Sequence, residues 1–314
     1  MKKTNNQLTP KKKLPLNSDI VFRRVFSKEG NEPLLKSLLE AILDIKIKSV
    51  KVKNPQITKD LYDSKAGVLD IKVEIDENII CDVEMQVTNE KNIEKRSTYY
   101  MSSALTEAIH EGDTYQCAKK VIVINILNFN YYKRNCYHNI AHMKFEDAKP
   151  QEYVDMGYET EDKIATPDIE MHFLELPKFI KKNPEAETLL EQWLWLIAGK
   201  EEKLKMAKKE NEDIKKATDI IDQMSMNPEE WEMYMSRKKA IINYNSGIYQ
   251  AKEDGKKEGF KEGIEQGIEQ GIEQGMRNEK LKVAKELLKT GMAVEKIVEI
   301  TELSKEEIEK IKID

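Results

Sequence analysis

Cysteine is scarce in this chain: Cys81, Cys117 and Cys136 are the three in 314 residues. So few cannot staple a protein of this length, which excludes a secreted disulfide scaffold. There is no run of about 18 apolar residues, the least that a membrane-spanning helix requires. Aromatics reach only 7% and histidines number four. An overall excess of positive charge is missing too: the net charge is −5 and the pI about 5.7, unlike a chain that coats nucleic acid along its whole length. Met1-Lys-Lys-Thr-Asn-Asn has charge but no apolar stretch behind it, so no signal peptide is expected and a reducing cytoplasm is the expected compartment.

What is present is charge of both signs, 35% of residues, beside 39% hydrophobic residues. That mixture fits a helix-rich protein whose core is concentrated in part of the chain. The charge is unevenly spread. Residues 1–60 carry 14 Lys and Arg against 6 Asp and Glu, leaving a net −13 for the rest. This basic N-terminal third, which includes the basic tail 1–17, is either a solubilising tail with ordinary surface lysines or a face for a polyanion.

The hydrophobic period changes along the chain. From Ser18 it is helical: Ser18 can cap Asp19-Ile-Val-Phe-Arg-Arg-Val-Phe, Gly30 interrupts, and Glu32-Pro33 opens a second helix through Leu43. Between Ile47 and Val87 the period drops towards two, predicting strands at Val50–Val52, Val68–Ile75 and Ile79–Val87. Ile93 to Gly112 returns to helix. Lys120 to Phe129 is almost continuously apolar, as a strand covered on both faces should be. Two further strands are expected around Tyr137–Phe145 and Ile169–Leu176. The expected order is α-β-β-β-α-β over residues 18–183, an α/β fold.

From Pro184 the pattern is helical throughout. Trp193, Leu194, Trp195 and Ile197 mark an apolar segment, a charged helix is expected from about Glu201 to Met224, and another after Asn227-Pro228, so that 184–250 forms a helical region. Within 251–278, six glycines from Gly255 to Gly275 recur every fourth residue, and Gly-Ile-Glu-Gln occurs three times in succession. Glycine costs a helix about 1 kcal/mol per site. A four-residue step advances about 400°, so the glycine stripe and the Phe260–Met276 apolar stripe would both wind around a helix by about 40° per step. Such a segment is either a self-association stalk or a linker. Residues 279–314 read as a small helical module with a capping box at Ser304–Glu307. Its spacing is that of a helix-turn-helix, but 8 basic against 9 acidic residues favours a protein-interaction module over a DNA reader.

The chemistry is concentrated in Leu69–Val87. Odd positions are mostly apolar, even positions include Asp70, Lys72, Glu74, Asp82, Glu84 and Gln86, and Asp76-Glu77-Asn78 forms the turn. Antiparallel pairing must set odd against odd, because a one-residue slip exchanges the two faces. A loop centred on Glu77 then places Lys72 opposite Asp82, a neutralising pair. It also places Asp70 opposite Glu84, two carboxylates with Cβ atoms roughly 5 Å apart. Like charges directly opposite destabilise a sheet. Either a cation holds them, Mg²⁺ or Mn²⁺ being suited to oxygen ligands plus water, or the side chains diverge into solvent. His138 and His142 lie on one face of an extended segment, too far apart to share a metal.

At this point the chain resembles the PD-(D/E)XK nuclease superfamily, and more narrowly the Rpn group of recombination-promoting nucleases, also described as transposases. The resemblance spans roughly residues 14–180. It is carried by Ser18-Asp19-Ile-Val-Phe-Arg-Arg-Val-Phe26, Leu69-Asp70-Ile71, Val83-Glu84-Met85-Gln86, Arg96 with Tyr99-Tyr100, Gly112 with Tyr115, and Glu175-Leu-Pro-Lys178. It implies a restriction-endonuclease-like core and metal-dependent cleavage of DNA phosphodiesters. Asp70 and Glu84 would be metal ligands, the Met85 carbonyl a third oxygen, and Asp19 a neighbour on the first helix. Gln86 stands where many superfamily members have lysine, though glutamine is usual in the Rpn group. It can orient a water but supplies no charge.

The expected function is that of a cytoplasmic, Mg²⁺-dependent DNA endonuclease that self-associates through its C-terminal region. The alternative is a catalytically weak nuclease-fold protein acting as an oligomeric, DNA-associated or partner-binding factor. Strand joining follows only from the transposase name.

Overall fold

The computed structural model describes residues 12–54, 70–109, 112–144, 166, 168–204 and 211–311. Most of the basic tail, Val68 and Leu69 ahead of the second strand, Phe145, and residues 205–210 of the expected charged helix lie outside the described residues. The chain divides into two units, Met1–Ile242 and Asn243–Asp314.

The first unit is built on a sheet. Helix α1 (Asp19–Ser27) and helix α2 (Glu32–Leu43) precede strands β1 (Val50–Val52), β2 (Ile71–Ile75) and β3 (Ile79–Gln86). Helix α3 (Ile93–Glu107) then leads to β4 (Lys120–Leu127), β5 (His138–His142) and β6 (Ile169–Glu175). The six strands lie in the order β1-β2-β3-β4-β6-β5, with β3, β4 and β6 parallel and the other neighbours antiparallel. The α-β-β-β-α-β order expected from the hydrophobic period is the order observed.

Short helices α4 (Leu176–Lys182) and α5 (Leu189–Ile197) follow, then α6 (Glu212–Met226) and α7 (Pro228–Lys289). A 3-10 turn at Glu201–Leu204 and helix α6 replace the single charged helix expected there. The reason for the late start is local: the Asn211 side chain accepts from the N–H groups of Asp213 and Ile214, capping a new helix. Ser18 stands at the start of α1 without a side-chain capping bond; Asp19 Oδ1 accepts from Ile20 N instead, at 2.8 Å.

The two faces of the sheet are covered differently. Cys81, Val83 and Met85 of β3 join Ile122, Ile124 and Ile126 of β4 in the main core, with Phe22 and Phe26 of α1, Leu35, Leu38 and Leu39 of α2, and Trp193 of α5. Trp193 is fully buried, stacks against Phe26 at 5.6 Å and donates Nε1–H to Ser37 Oγ. On the opposite face Met101 and Ala104 of α3, with Ala108, cover Val121 and Val123. Alternation along β3 therefore sends its polar residues under α3 rather than into open solvent.

In the second unit, α7 continues as helix through every glycine from Gly255 to Gly275, so the repeat is a helix and not an irregular linker. Phe260, Ile264, Ile268, Ile272 and Met276 are exposed along it. Beyond it, α8 (Val294–Thr301) and α9 (Lys305–Glu309) fold back so that Ala284, Ile297, Leu303 and Ile308 share a small core. The expected capping box is present, Ser304 Oγ and Glu307 satisfying each other's backbone donors. Among the described residues no helix is long and apolar enough to cross a membrane.

Candidate active site

The β2–β3 register is the one expected from the alternation: Lys72 pairs with Asp82 and Ile71 with Val83. Asp70 is the residue before β2, and the same register carried one step further sets it beside Glu84. Its backbone is clamped from two elements. Arg23 Nη1 of α1 donates to the Asp70 carbonyl at 2.5 Å, Arg23 Nη2 to the Asn54 carbonyl at 2.7 Å, and Asn54 Nδ2 to the Asp70 carbonyl at 3.2 Å. Arg23 Nη1 also lies 3.9 Å from Asp70 Oδ1. Arg23 and Asn54 thus place Asp70; composition and alternation give no sign of either role.

Asp82, Glu84 and Gln86 form a row on the α3 face of β3. They expose 3%, 4% and 8% of their surface, and Asp70 exposes 8%. The alternative in which the carboxylates diverge into solvent is therefore not the one adopted. Three carboxylates in so little water repel one another. Burial first, then the charges of Asp70 and Glu84, push the Asp82 pKa well above the usual carboxylate range, against the pull of Lys72. Burial also raises Glu84, opposed mainly by Arg96.

The expected neutralisation of Asp82 by Lys72 is not made as a contact. The two are partners in register, but Lys72 Nζ reaches across to Glu107 of α3 at 2.8 Å. Asp82 Oδ1 is buried with no hydrogen-bond donor among the described residues. Asp82 is thus a third member of the acidic row, where alternation alone assigned it to a salt bridge. Two polar residues before Gln86 on one strand face were the available signal; the Glu107 competitor could not be seen without α3.

Glu84 is held from α3. Arg96 Nη2 donates to Glu84 Oε1 at 2.5 Å, and the guanidinium stands over the Tyr100 ring, 5.5 Å from its centroid. Among the described residues Glu84 Oε2 has no hydrogen-bond partner. Beside Glu84 in the parallel register lies Asn125, whose Oδ1 accepts from Ser97 Oγ at 3.0 Å. The Gln86 amide is close enough to Glu84 to favour its ionised form, while Nε2 has no acceptor in hydrogen-bonding geometry.

Asp19 is not brought into this row by any contact among the described residues. Its Oδ2 accepts from Arg237 of α7, Nε at 2.8 Å and Nη2 at 2.6 Å. Asp19 lies one helical turn before Arg23, so it acts on Asp70 at most through α1. Among the described residues its carboxylate is held by Arg237 of α7.

Among the described residues no group of three or more His, Cys, Asp and Glu side chains is arranged to hold a metal. The donor set nevertheless fits a hard divalent cation that keeps part of its water shell, which needs only one or two protein carboxylates. Glu84 Oε2 is a buried acceptor without a donor, and the Asp70–Glu84 repulsion is what such a cation would relieve. His138 belongs elsewhere. It meets His172 at 2.8 Å, and His172 meets Glu170 at 2.5 Å, in a structural chain at the far edge of the sheet.

Two family models match this chain. Residues 16–251 match the model of the PD-(D/E)XK nuclease family transposases. Residues 277–312 match the C-terminal helix-turn-helix domain of the Rpn/YhgA-like nuclease family. The second match names a helix-turn-helix where charge balance had favoured a protein-interaction module. No curated protein and no solved structure gives a significant match. With well over half its length matched, and with the acidic row at the expected strands, the chain belongs to the PD-(D/E)XK nuclease family transposases of the Rpn type.

Proposed function

We propose that this chain is a Mg²⁺-dependent DNA endonuclease of the recombination-promoting type, acting in the cytoplasm. The observation that carries the reading is Glu84: a carboxylate buried under α3, with one oxygen on Arg96 and the other unpaired, beside Asp70. Burying unneutralised carboxylates together is costly, and a fold retains such a row where a cation or substrate completes it.

When bound, Mg²⁺ or Mn²⁺ supplies Lewis-acid charge at the scissile phosphate and lowers the pKa of a water. Asp70 and Glu84 would hold it, with the Met85 carbonyl as a third oxygen. Arg23 and Asn54 fix the Asp70 backbone so that its carboxylate needs little reorganisation. Arg96 holds Glu84 Oε1, so Oε2 is the oxygen that would be left to hold the ion. Gln86 would orient a water by hydrogen bonding through its amide. Asp19 supports the site from α1, tied to Arg237.

DNA is the proposed partner of both the acidic row and the C-terminal helix-turn-helix. Self-association is proposed through α7, whose Phe260–Met276 stripe is exposed and whose repeat glycines have open space, with nothing within 4 Å, where a side chain would begin. Gln86, which brings no charge, is the observation that favours the weaker-catalyst alternative.

Nicking of supercoiled DNA by the purified full chain tests the reading. Activity should require Mg²⁺ or Mn²⁺, vanish with EDTA and vanish in Glu84→Gln. Metal-independent nicking, or nicking unaltered by Glu84→Gln, refutes it.

A further inference from the structure

Phosphodiester cleavage develops negative charge on the phosphate, and the acidic row has no lysine at position 86 to meet it. Among the described residues, three other cations near the row have partners. Arg23 is buried and spends its donors on two backbone carbonyls. Lys72 is paired with Glu107, and Arg237 with Asp19. Arg96 differs from these in what it holds: it is bonded to the Glu84 carboxylate of the row itself. Its side chain keeps 25% of its surface in solvent while Glu84 keeps 5%, so part of it reaches water even though Nε is buried.

Its donors are also unequally used. Nη2 is fixed on Glu84 Oε1 at 2.5 Å, whereas Nη1 has only Glu90 at 3.7 Å, beyond hydrogen-bond length. The Tyr100 ring fixes the plane of the group. A guanidinium can hold a carboxylate through one edge and offer another N–H to a phosphate oxygen, a division that an ammonium cannot make with the same rigidity.

We propose that Arg96 is the phosphate-contacting cation of this site, anchored by Nη2 on Glu84 and presenting Nη1 to a DNA phosphate in place of Glu90. The charge that other members of the superfamily carry at the position of Gln86 is here supplied from helix α3. This rests on the nuclease reading above. It adds that Arg96 touches substrate and does not merely orient Glu84.

The test uses the full chain as wild type, Arg96→Gln, Arg96→Lys and the double variant Arg96→Gln/Gln86→Lys. Binding of a short fluorescein-labelled DNA duplex is measured by anisotropy in Ca²⁺ over a salt series, and cleavage in Mg²⁺. Mn²⁺ affinity is measured separately without DNA. Arg96→Gln keeps a donor for Glu84 but loses the charge. It should lower the salt slope of DNA binding by about one, slow cleavage about 100-fold, and leave Mn²⁺ affinity within a few-fold of wild type. Arg96→Lys should keep the slope. The double variant should recover at least about tenfold in cleavage over Arg96→Gln, as expected when one charge substitutes for another. An unchanged salt slope, with weakened Mn²⁺ binding and no recovery in the double variant, would reduce Arg96 to a positioner of Glu84 and overturn the proposal. If wild type cleaves nothing in either Mg²⁺ or Mn²⁺, the nuclease reading falls, while the salt slope still decides whether Arg96 meets phosphate.

Discussion

On β3, Asp82 and Glu84 are nearly sealed from water, and of the two only Glu84 meets an arginine. On α7, Glu265, Glu269 and Glu273 are exposed and solvated, spaced by the same repeat that spaces the glycines. Both segments are acidic, yet only the first stores electrostatic conflict. Water screens the second to near neutrality, so its charges say little about function, whereas in the first every missing partner marks something the folded chain does not supply. The apolar groups reverse the comparison. In the first unit Trp193, Phe22 and Phe26 are hidden; in the second Phe260, with 72% of its surface exposed, and the isoleucines after it are left uncovered. One unit is incomplete in charge and the other in apolar contact.

The largest effect expected is on catalysis. On the proposed reading, Asp70→Ala should reduce Mg²⁺-dependent nicking at least about a thousand-fold, since it would remove one of the two proposed ligands. No charge substitution between Glu265 and Glu273 should approach this. Equal loss from a Glu269→Gln control would erase the distinction between the two acidic segments.

Packing should show the converse contrast. Trp193→Ala is expected to cost about 3–5 kcal/mol in urea unfolding, from lost burial and the cavity left behind. Phe260→Ala should change monomer unfolding by less than about 0.5 kcal/mol. A large loss at Phe260 would mean that its stripe is covered in solution.

Self-association carries that point further. Truncation after Asn245 should lower the mass seen by light scattering, because it removes the exposed stripe and the glycine face that permits close helix approach. Nicking should survive truncation better than double-strand cleavage, since each acidic row lies within one chain. The same number of chains per particle before and after truncation would make the repeat a spacer.

The pH dependence of stability should separate carboxylates within the sheet. Asp82 and Glu84 have raised pKa values. Between the ordinary carboxylate value and the raised one, the folded state binds more protons than the unfolded. Their contribution is therefore fullest at acid pH and is lost as pH rises through the folded value. Glu74 is the opposite case. Hydrogen bonds and charge from Lys119 and Lys53 lower it to about 2, so its stabilisation holds above its ordinary value and is lost as pH falls towards 2. Metal-free Asp82→Asn should accordingly melt higher than wild type near neutral pH and show no gain at acid pH. Mg²⁺ at a hundredfold excess over Kd should stabilise wild type by about 2.7 kcal/mol and so raise its melting temperature, but should leave that of Glu84→Gln unmoved. A metal response undiminished in Glu84→Gln would place the ion elsewhere.

The smallest effect belongs to the surface pairs of the second unit. Arg277 and Glu307 meet at 2.6 Å in solvent. Arg277→Ala should leave the melting temperature almost unmoved, because exposed ion pairs gain little over hydration. A clear drop would show that the pair is buried in an assembly.

Much of this molecule is legible in its sequence because alternation and helical period are local properties. The odd-against-odd rule fixed the β2–β3 register through Lys72 and Asp82, and the nearly unbroken apolar run at Lys120–Leu127 marked the strand covered on both faces. Proline at position 228, the Ser304 capping box and the aliphatic period of α1 and α2 set where helices begin and which face they bury. Only the tertiary structure decided which charges meet. Lys72 turns from Asp82 to Glu107, Arg237 comes from 218 residues away to take Asp19, and Arg96 reaches Glu84 because α3 crosses the polar face of β3. A long flexible side chain chooses its partner by distance and dielectric, neither of which exists until the layers are stacked. Local pattern therefore determined where the carboxylates lie, and packing determined which of them were left without a partner.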